Sequence, residues 1–395
     1  MIKLGCNESL PDGWKWYKAQ ECMDVRDGTH DSPKYFDEGY PLVTSKNLVN
    51  GKIDFSTCTY ISKEDHFAIS KRSAVDEGDI LYAMIGTIGN PVIVEKTQEF
   101  SIKNVALFKF NNENVFNRYI FYFLNSRIAE RQFNSNSRGG TQKFISLGNI
   151  RGLQIPLPPL KEQKRIAAIL DKADSLRRKR QQAIQLADQF LRSVFLDLFG
   201  DPVTNPKGWE VAKVGSIVDC IVPGRDKPKS FTGNIPWITT NDLCHLGFTR
   251  KAKEFVGLTE LEIKEVKAKL IPKGSVLMTC VGDLGIVSIT GDDIVINQQL
   301  HAFLPSQKIN NVFLMYALSI QKPFMLKMAS NTTVPYMNKT ICNSVPVISP
   351  TIEIQNQFGK IYEKVKAQLI SSELSKVNCE ELFSSCSQKA FAGEL

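Results

Sequence analysis

Leu160-Lys-Glu-Gln-Lys-Arg-Ile-Ala-Ala-Ile-Leu-Asp171 opens a stretch that runs to Phe199 without a glycine or a proline. Ile166, Ile169, Ala173 and Leu176, then Ala183, Ala187, Phe190 and Val194, recur in steps of three and four, interrupted only where Arg180 takes the slot. That spacing predicts one long helix whose heptad seam packs against another helix. Pro158-Pro159 sets an extended approach and cannot lie inside the helix, and Gly200-Asp-Pro202 ends it. At about 1.5 Å per residue the rod is roughly 58 Å long. A rod of that length needs a partner.

The C-terminal segment supplies one. After Pro346-Val-Ile-Ser-Pro350, the residues Ile354, Phe358, Ile361 and Val365 step in the same way, and Cys379, Leu382 and Cys386 resume the seam beyond a polar middle. Pro158-Pro-Leu-Lys-Glu-Gln163 lies over Pro350-Thr-Ile-Glu-Ile-Gln355 at an offset of 192 residues. Pro11-Asp-Gly-Trp14 repeats as Pro206-Lys-Gly-Trp209 at an offset of 195. Pro41-Leu-Val-Thr-Ser-Lys-Asn-Leu48 repeats as Pro236-Trp-Ile-Thr-Thr-Asn-Asp-Leu243, and Gly86 and Gly89 pair with Gly282 and Gly285 at an offset of 196. Near-constant offsets in separate blocks indicate an internal duplication. The expected organisation is a globular domain at 1–157, a central helix at 158–199, a second globular domain at 200–348 and a C-terminal helix at 349–395.

Each globular half reads mostly as short β runs. Ile80–Ile85, Pro91–Val94 and Val105–Phe108 are expected strands, and Ser275–Val281 with Gly285–Ile289 repeat the plan. One helical stretch, Val115–Phe133, is answered by Val312–Met328. The fold class is therefore α+β, with two mixed domains separated by two long helices that pack on each other. The expected pairing residues are Ile166, Ile169, Leu176 and Phe190 on the first helix and Phe358, Ile361, Val365 and Leu382 on the second.

The net charge of +8 leans towards an acidic partner, and residues 160–180 concentrate it, with eight basic residues against three acidic. No apolar run reaches membrane-spanning length, and the first residues lack the apolar centre of a signal peptide, so a cytoplasmic protein is expected. Nine cysteines with no C-x-x-C pair fit reduced thiols. Four histidines show no metal-ligand spacing, and no phosphate loop, dinucleotide turn or nucleophile elbow is present. The Asn/Asp-Pro-Pro-Tyr/Phe signature of DNA amino-methyltransferases is absent as well. No catalytic centre and no metal site are expected in the chain.

Polar, glycine-bearing loops recur at corresponding places in the two halves. Arg26-Asp-Gly-Thr-His30 answers the segment from Cys220 to Lys229, Thr44-Ser-Lys-Asn47 answers Thr239-Thr-Asn-Asp242, and the loop from Ser135 to Gln142 answers Ser330-Asn-Thr-Thr333. Such side chains contact base edges and phosphates, and glycine lets the backbone come close. The candidates are Arg26, Thr29, His30, Lys46, Arg138 and Thr141 in the first half and Arg225, Lys227, Thr240 and Asn241 in the second.

Pro156-Leu-Pro-Pro-Leu-Lys-Glu-Gln-Lys-Arg-Ile166, the two Gly-Trp blocks, Asp27-Gly-Thr-His30 and Gln388-Lys-Ala-Phe-Ala-Gly-Glu-Leu395 together resemble the specificity (S) subunit of type I restriction-modification systems. The second helix start departs from the pattern, with Thr351 in place of the second proline and Ile354 in place of the glutamate. The resemblance implies two target-recognition domains, each reading one half of a bipartite double-stranded DNA site, held apart by the two long helices, which pair antiparallel. It implies two modification subunits that methylate adenine with S-adenosylmethionine, and restriction subunits that use ATP and magnesium, the chain itself carrying no cofactor. Two other readings stand beside it: a self-sufficient nuclease or methyltransferase, against which the missing motifs argue, and a coiled-coil scaffold with no nucleic-acid role.

Overall fold

The computed structural model describes residues 10–86, 88–136, 144–224, 226–330 and 333–395. The central helix runs Leu160–Phe199 and the C-terminal helix Ile352–Ala392, 40 and 41 residues, each about 60 Å long. The fold divides into two compact units, and the division passes through both helices. One unit takes the chain up to Gln181 together with Leu374–Leu395, and the other takes Gln182–Glu373. Each unit thus holds the start of one long helix and the end of the other.

In the first unit a four-stranded antiparallel sheet runs in the order Asp24–Asp27, Val105–Lys109, Ile80–Ala83, Gly89–Ile93. Alternation sends Ile80, Tyr82 and Phe108 towards Tyr119, Ile120 and Phe123 on one face. Leu81, Ala83 and Leu107 go to the other face, against Val43, Leu48 and Ile102. Because both faces are covered, the strand residues Ile80–Ala83 are all buried and read as a continuous apolar run. A smaller sheet centres on Tyr40–Val43, antiparallel to Thr59–Ile61 and parallel to Ser101–Ile102.

The second unit repeats this plan. Val276–Thr279 is central in its main sheet, between Leu300–Phe303 and Val287–Thr290. Ile235–Ile238 is central in its small sheet, antiparallel to Gly257–Leu258 and parallel to Val295–Ile296. Gly86 and Gly282 turn with φ of +77° and +78°, a conformation that an L side chain resists, so the turn keeps glycine in both copies. The helical stretches expected as one piece are each broken in two. Asn117–Leu124 is followed by Arg127–Asn136, and Asn311–Ile320 by Lys322–Met328. The second break falls at Gln321, just before Pro323, which cannot continue an existing helix but suits the first turn of a new one.

Within the first unit the two helices run antiparallel. The Arg165 guanidinium donates to the Leu395 carbonyl at 2.6 Å, and Arg177, further along, lies 5.4 Å from the Phe383 ring. In the second unit Asp188 meets Lys366 at 3.1 Å while Phe195, further along, packs on Phe358 at 5.3 Å. Ile166 and Phe358 are fully buried, Ile169 is half-buried, and Ile361 and Val365 pack against the second core. Leu176, Phe190 and Leu382 correct the expected seam: they are 53%, 53% and 50% exposed. The buried apolar residues of the central helix are Ile166, Ala167, Leu170 and Ala173 in the first unit and Leu191, Phe195 and Phe199 in the second. Ile166 and Phe195 are separated by about eight whole turns at ~3.6 residues, so a straight helix keeps them on one line. A strict heptad drifts from that line by about 20° per repeat, which by Phe190 displaces the seam by most of one residue.

The helix starts are fixed by one side chain each. Gln163 is fully buried; its amide donates to the carbonyls of Pro158 at 2.8 Å and Asn114 at 2.9 Å and accepts from the Phe116 N–H at 2.8 Å. Gln355 donates to Pro350 at 2.8 Å and accepts from the Asn310 N–H at 2.9 Å. Gln163→Leu keeps the volume but strands a buried N–H and two carbonyls. It should destabilise the protein by roughly 2 kcal/mol or more and speed hydrogen exchange at the Phe116 amide, whereas Leu176→Gln should change stability by less than about 0.5 kcal/mol. Denaturant titration with amide exchange checks both, and equal effects of the two substitutions would refute the assignment.

Candidate nucleic-acid interface

In the first unit the edge strand Asp24–Asp27 delivers Gly28, Thr29 and His30 to one end of the sheet. Thr29 is stitched to the neighbouring segment by its N–H to Ile102 at 3.0 Å and by its carbonyl, which accepts from the Asn104 N–H at 3.1 Å. The exposed His30 ring is hydrogen-bonded through Nδ1 to Asn104 Oδ1 at 2.8 Å and through Nε2 to Asp27 Oδ2 at 2.9 Å. Arg72 also pairs with Asp27. The hydrogen bond to Asn104 and then that to Asp27 favour the charged ring, so His30 titrates above its ordinary value. Burial pushes the other histidines the opposite way, His301 down to about 4.

Lys46 is exposed on the short turn Ser45–Asn47. The turn is shaped by Asn47, whose Oδ1 accepts from the Thr44 N–H at 2.8 Å and the Thr44 hydroxyl at 2.9 Å. Its amide group reaches on to the Asp54 carbonyl at 3.2 Å and the Thr57 hydroxyl at 3.1 Å. A cleft of about 620 Å³ opens here, lined by Lys46, Asn47, Tyr35, Gly86, Lys103 and Asn104 among others. Lys46 therefore faces it directly, and Thr29 and His30 adjoin it through Lys103 and Asn104. Arg26 is held elsewhere: its guanidinium donates to Asp24 at 2.7 Å and to the Arg72 carbonyl at 3.0 Å.

The second unit builds the same turn with a carboxylate. Asp242 Oδ2 accepts from the Thr239 N–H at 2.8 Å and hydroxyl at 2.7 Å, and Oδ1 accepts from the Lys253 N–H at 2.9 Å. Thr240 is half-buried and Asn241 exposed on that turn, and Lys227 is exposed on the preceding loop. Gln298 holds that loop, donating to the carbonyls of Gly224 at 2.9 Å and Asp226 at 3.3 Å. Arg138, Thr141 and Arg225 lie outside the described residues.

Sequence reasoning missed Lys103, Asn104 and Gln298, although the repeat contained the signal. Ile102-Lys-Asn answers Ile296-Asn-Gln, and the N–H groups of Lys103 and Asn297 donate to Val43 and Ile238 at 2.9 and 3.0 Å. Among the described residues no group of three or more His, Cys, Asp or Glu could hold a metal ion. What the two sites offer is an array of cationic and amide side chains at one end of each sheet, suited to binding a polyanion with patterned donors and acceptors.

Comparison with known proteins follows the duplication. The family described as "type I restriction modification DNA specificity domain" matches twice, over residues 11–186 and 206–378. The type I restriction enzyme MjaIX specificity subunit of Methanocaldococcus jannaschii is 23% identical, over 98% of this chain and 94% of its own length. The StySPI specificity subunit of Salmonella potsdam is also 23% identical, over 98% and 90%. The crystal structure of the type I restriction-modification system S subunit from M. genitalium shares the fold, with a TM-score of 0.61 at 15% identity over 99% of this chain and 98% of that one.

The raised His30 value sets a pH dependence. The stabilisation from its two hydrogen bonds is fully present below the ordinary histidine value and is lost as pH rises through the raised folded-state value. Asn104→Leu removes the larger cause, so an NMR titration should find the His30 midpoint above 6.5 in the unaltered protein and lower in the variant. Identical midpoints would refute the network.

Proposed function

Because the chain belongs to the type I restriction-modification DNA specificity family, matched in both halves, we propose that each unit reads one half of a bipartite duplex target and that the long helices set the gap between the halves. The chain is a specificity subunit with two target-recognition domains. The observation that carries the finer reading is one scaffold used twice with different loops. The Thr44 and Thr239 turns have the same internal hydrogen bonds, yet they present Lys46 in one copy and Thr240 with Asn241 in the other. A common turn with variable tips suits two readers of different sequences.

Specificity subunits are the non-catalytic components of their complexes. On this reading methylation of adenine with S-adenosylmethionine comes from two modification subunits, and ATP- and magnesium-dependent translocation and cleavage from restriction subunits. An internally repeated chain offers two equivalent surfaces to two copies of one partner, and the long helices with the segments beside them are the proposed docking surface. A DNA substrate supports a cytoplasmic location for the complex; among the described residues no helix is long and apolar enough to cross a membrane. A coiled-coil scaffold without DNA recognition has no support in the family match.

Modified-base sequencing of DNA from cells carrying the modification subunit, with and without this chain, tests the reading. The expected result is a split motif with a fixed gap, methylated only when the chain is present. Inserting four residues into each long helix adds about 6 Å and should widen the gap by one or two base pairs at ~3.4 Å each. Methylation indifferent to the chain would overturn DNA recognition, and an unchanged gap would overturn the helical ruler.

A further inference from the structure

Between the reading loop and the small sheet lies a second internal repeat. Asp31-Ser-Pro-Lys-Tyr-Phe36 and Asp226-Lys-Pro-Lys-Ser-Phe231 share Asp, Pro, Lys and Phe at a constant offset of 195 residues. Both segments enter their sheets past a glycine laid on the neighbouring strand. A Cβ on Gly39 would stand 2.3 Å from the Ile61 carbonyl oxygen, and one on Gly233 would stand 2.1 Å from that of Leu258. Lys34 and Lys229 are exposed, and Phe36 and Phe231 are 42% and 43% exposed, Phe231 with its ring 6.1 Å from that of Trp237, so neither lysine is spent on a core. The Lys34 ammonium lies 5.4 Å from the Phe36 ring, which holds it in place.

Each segment borders the site described above. Tyr35 lines the first cleft together with Lys46 and Asn104, and the Lys103 ammonium donates to the Ser32 hydroxyl at 2.6 Å and the Tyr35 hydroxyl at 3.4 Å. In the second unit the Asp226 carbonyl is gripped by Gln298. Residues that differ between two readers can distinguish sequences, but exposed residues that stay the same cannot. What two different half-sites have in common, apart from the adenine to be methylated, is the sugar-phosphate backbone, and an exposed lysine beside a reading loop is placed to contact a phosphate.

Building on the DNA-reading function, we propose that Lys34 and Lys229 are paired, sequence-neutral anchors, each gripping the duplex backbone beside its half-site. The test uses the complex with modification subunits and compares unaltered protein with Lys34→Ala, Lys229→Ala and the double variant. Affinity is measured for the target duplex and for a scrambled one across a salt series. Each alanine should weaken both duplexes by the same factor and flatten the slope of log affinity against log salt by about 0.9, the double variant by about twice that. The methylated motif should stay the same, and Lys34→Arg and Lys229→Arg should restore binding. A changed base preference at one half-site would overturn the proposal, as would an unchanged salt slope with loss of the modification subunits, or a binding loss that arginine leaves in place. Absence of target binding by the unaltered complex would instead sink the DNA-reading function.

Discussion

Gln163 and Gln355 stand where a helix some 60 Å long joins a folded domain, and each side chain joins two segments at once. One end of the amide accepts an N–H from the segment that leads into the domain's core helix, and the other donates to the proline carbonyl that precedes the long helix. Glutamate would lose the donors and leucine everything, in a place where water cannot substitute. The far ends are fixed by aromatic packing. Phe391 sits 5.3 Å from Tyr119 and 5.4 Å from Phe123 in the first unit, and Phe195 packs with Phe313, Tyr316 and Phe358 in the second. These contacts keep each helix end from sliding or swivelling within its own unit.

Much of this was legible in the sequence. Pro158-Pro159 and Gly200 marked the limits of the central helix and Pro350 the start of the C-terminal one to within a few residues, and the constant offsets exposed the duplication before any strand was placed. The helix-start block was readable even where Thr351 and Ile354 depart from it, because Gln355, the residue that makes the buried bonds, remains. The seam was harder. Successive steps of three and four fit a heptad and a straight helix equally well over two turns, and only a length of many turns separates the periods. Phe190 and Leu191 are neighbours in sequence, and the buried one is decided by a drift too small to see locally.

The candidate loops were legible only in outline, for a physical reason. Arg26 has the composition of a base reader, but its guanidinium is engaged by Asp24 and by a carbonyl 46 residues away, a partner no local pattern announces. Lys103 and Asn104 have the opposite history. They follow a short buried strand and look like the residues of an ordinary turn, and only the parallel pairing of Ser101–Ile102 with Leu42–Val43 brings them to the cleft.

Within each loop the work is divided between residues that hold the shape and residues that meet the outside. Asn47 and Asp242 do the first, bonding to the same threonine atoms in both copies, so the backbone follows one path whether the acceptor is an amide or a carboxylate. Because those bonds are local, the exposed neighbours carry almost no structural duty. Lys46 in one copy and Asn241 in the other can differ in charge and reach without disturbing the sheets beneath. A duplicated reader can change its target only under that condition, since every substitution that alters recognition must leave untouched the core that fixes where recognition takes place.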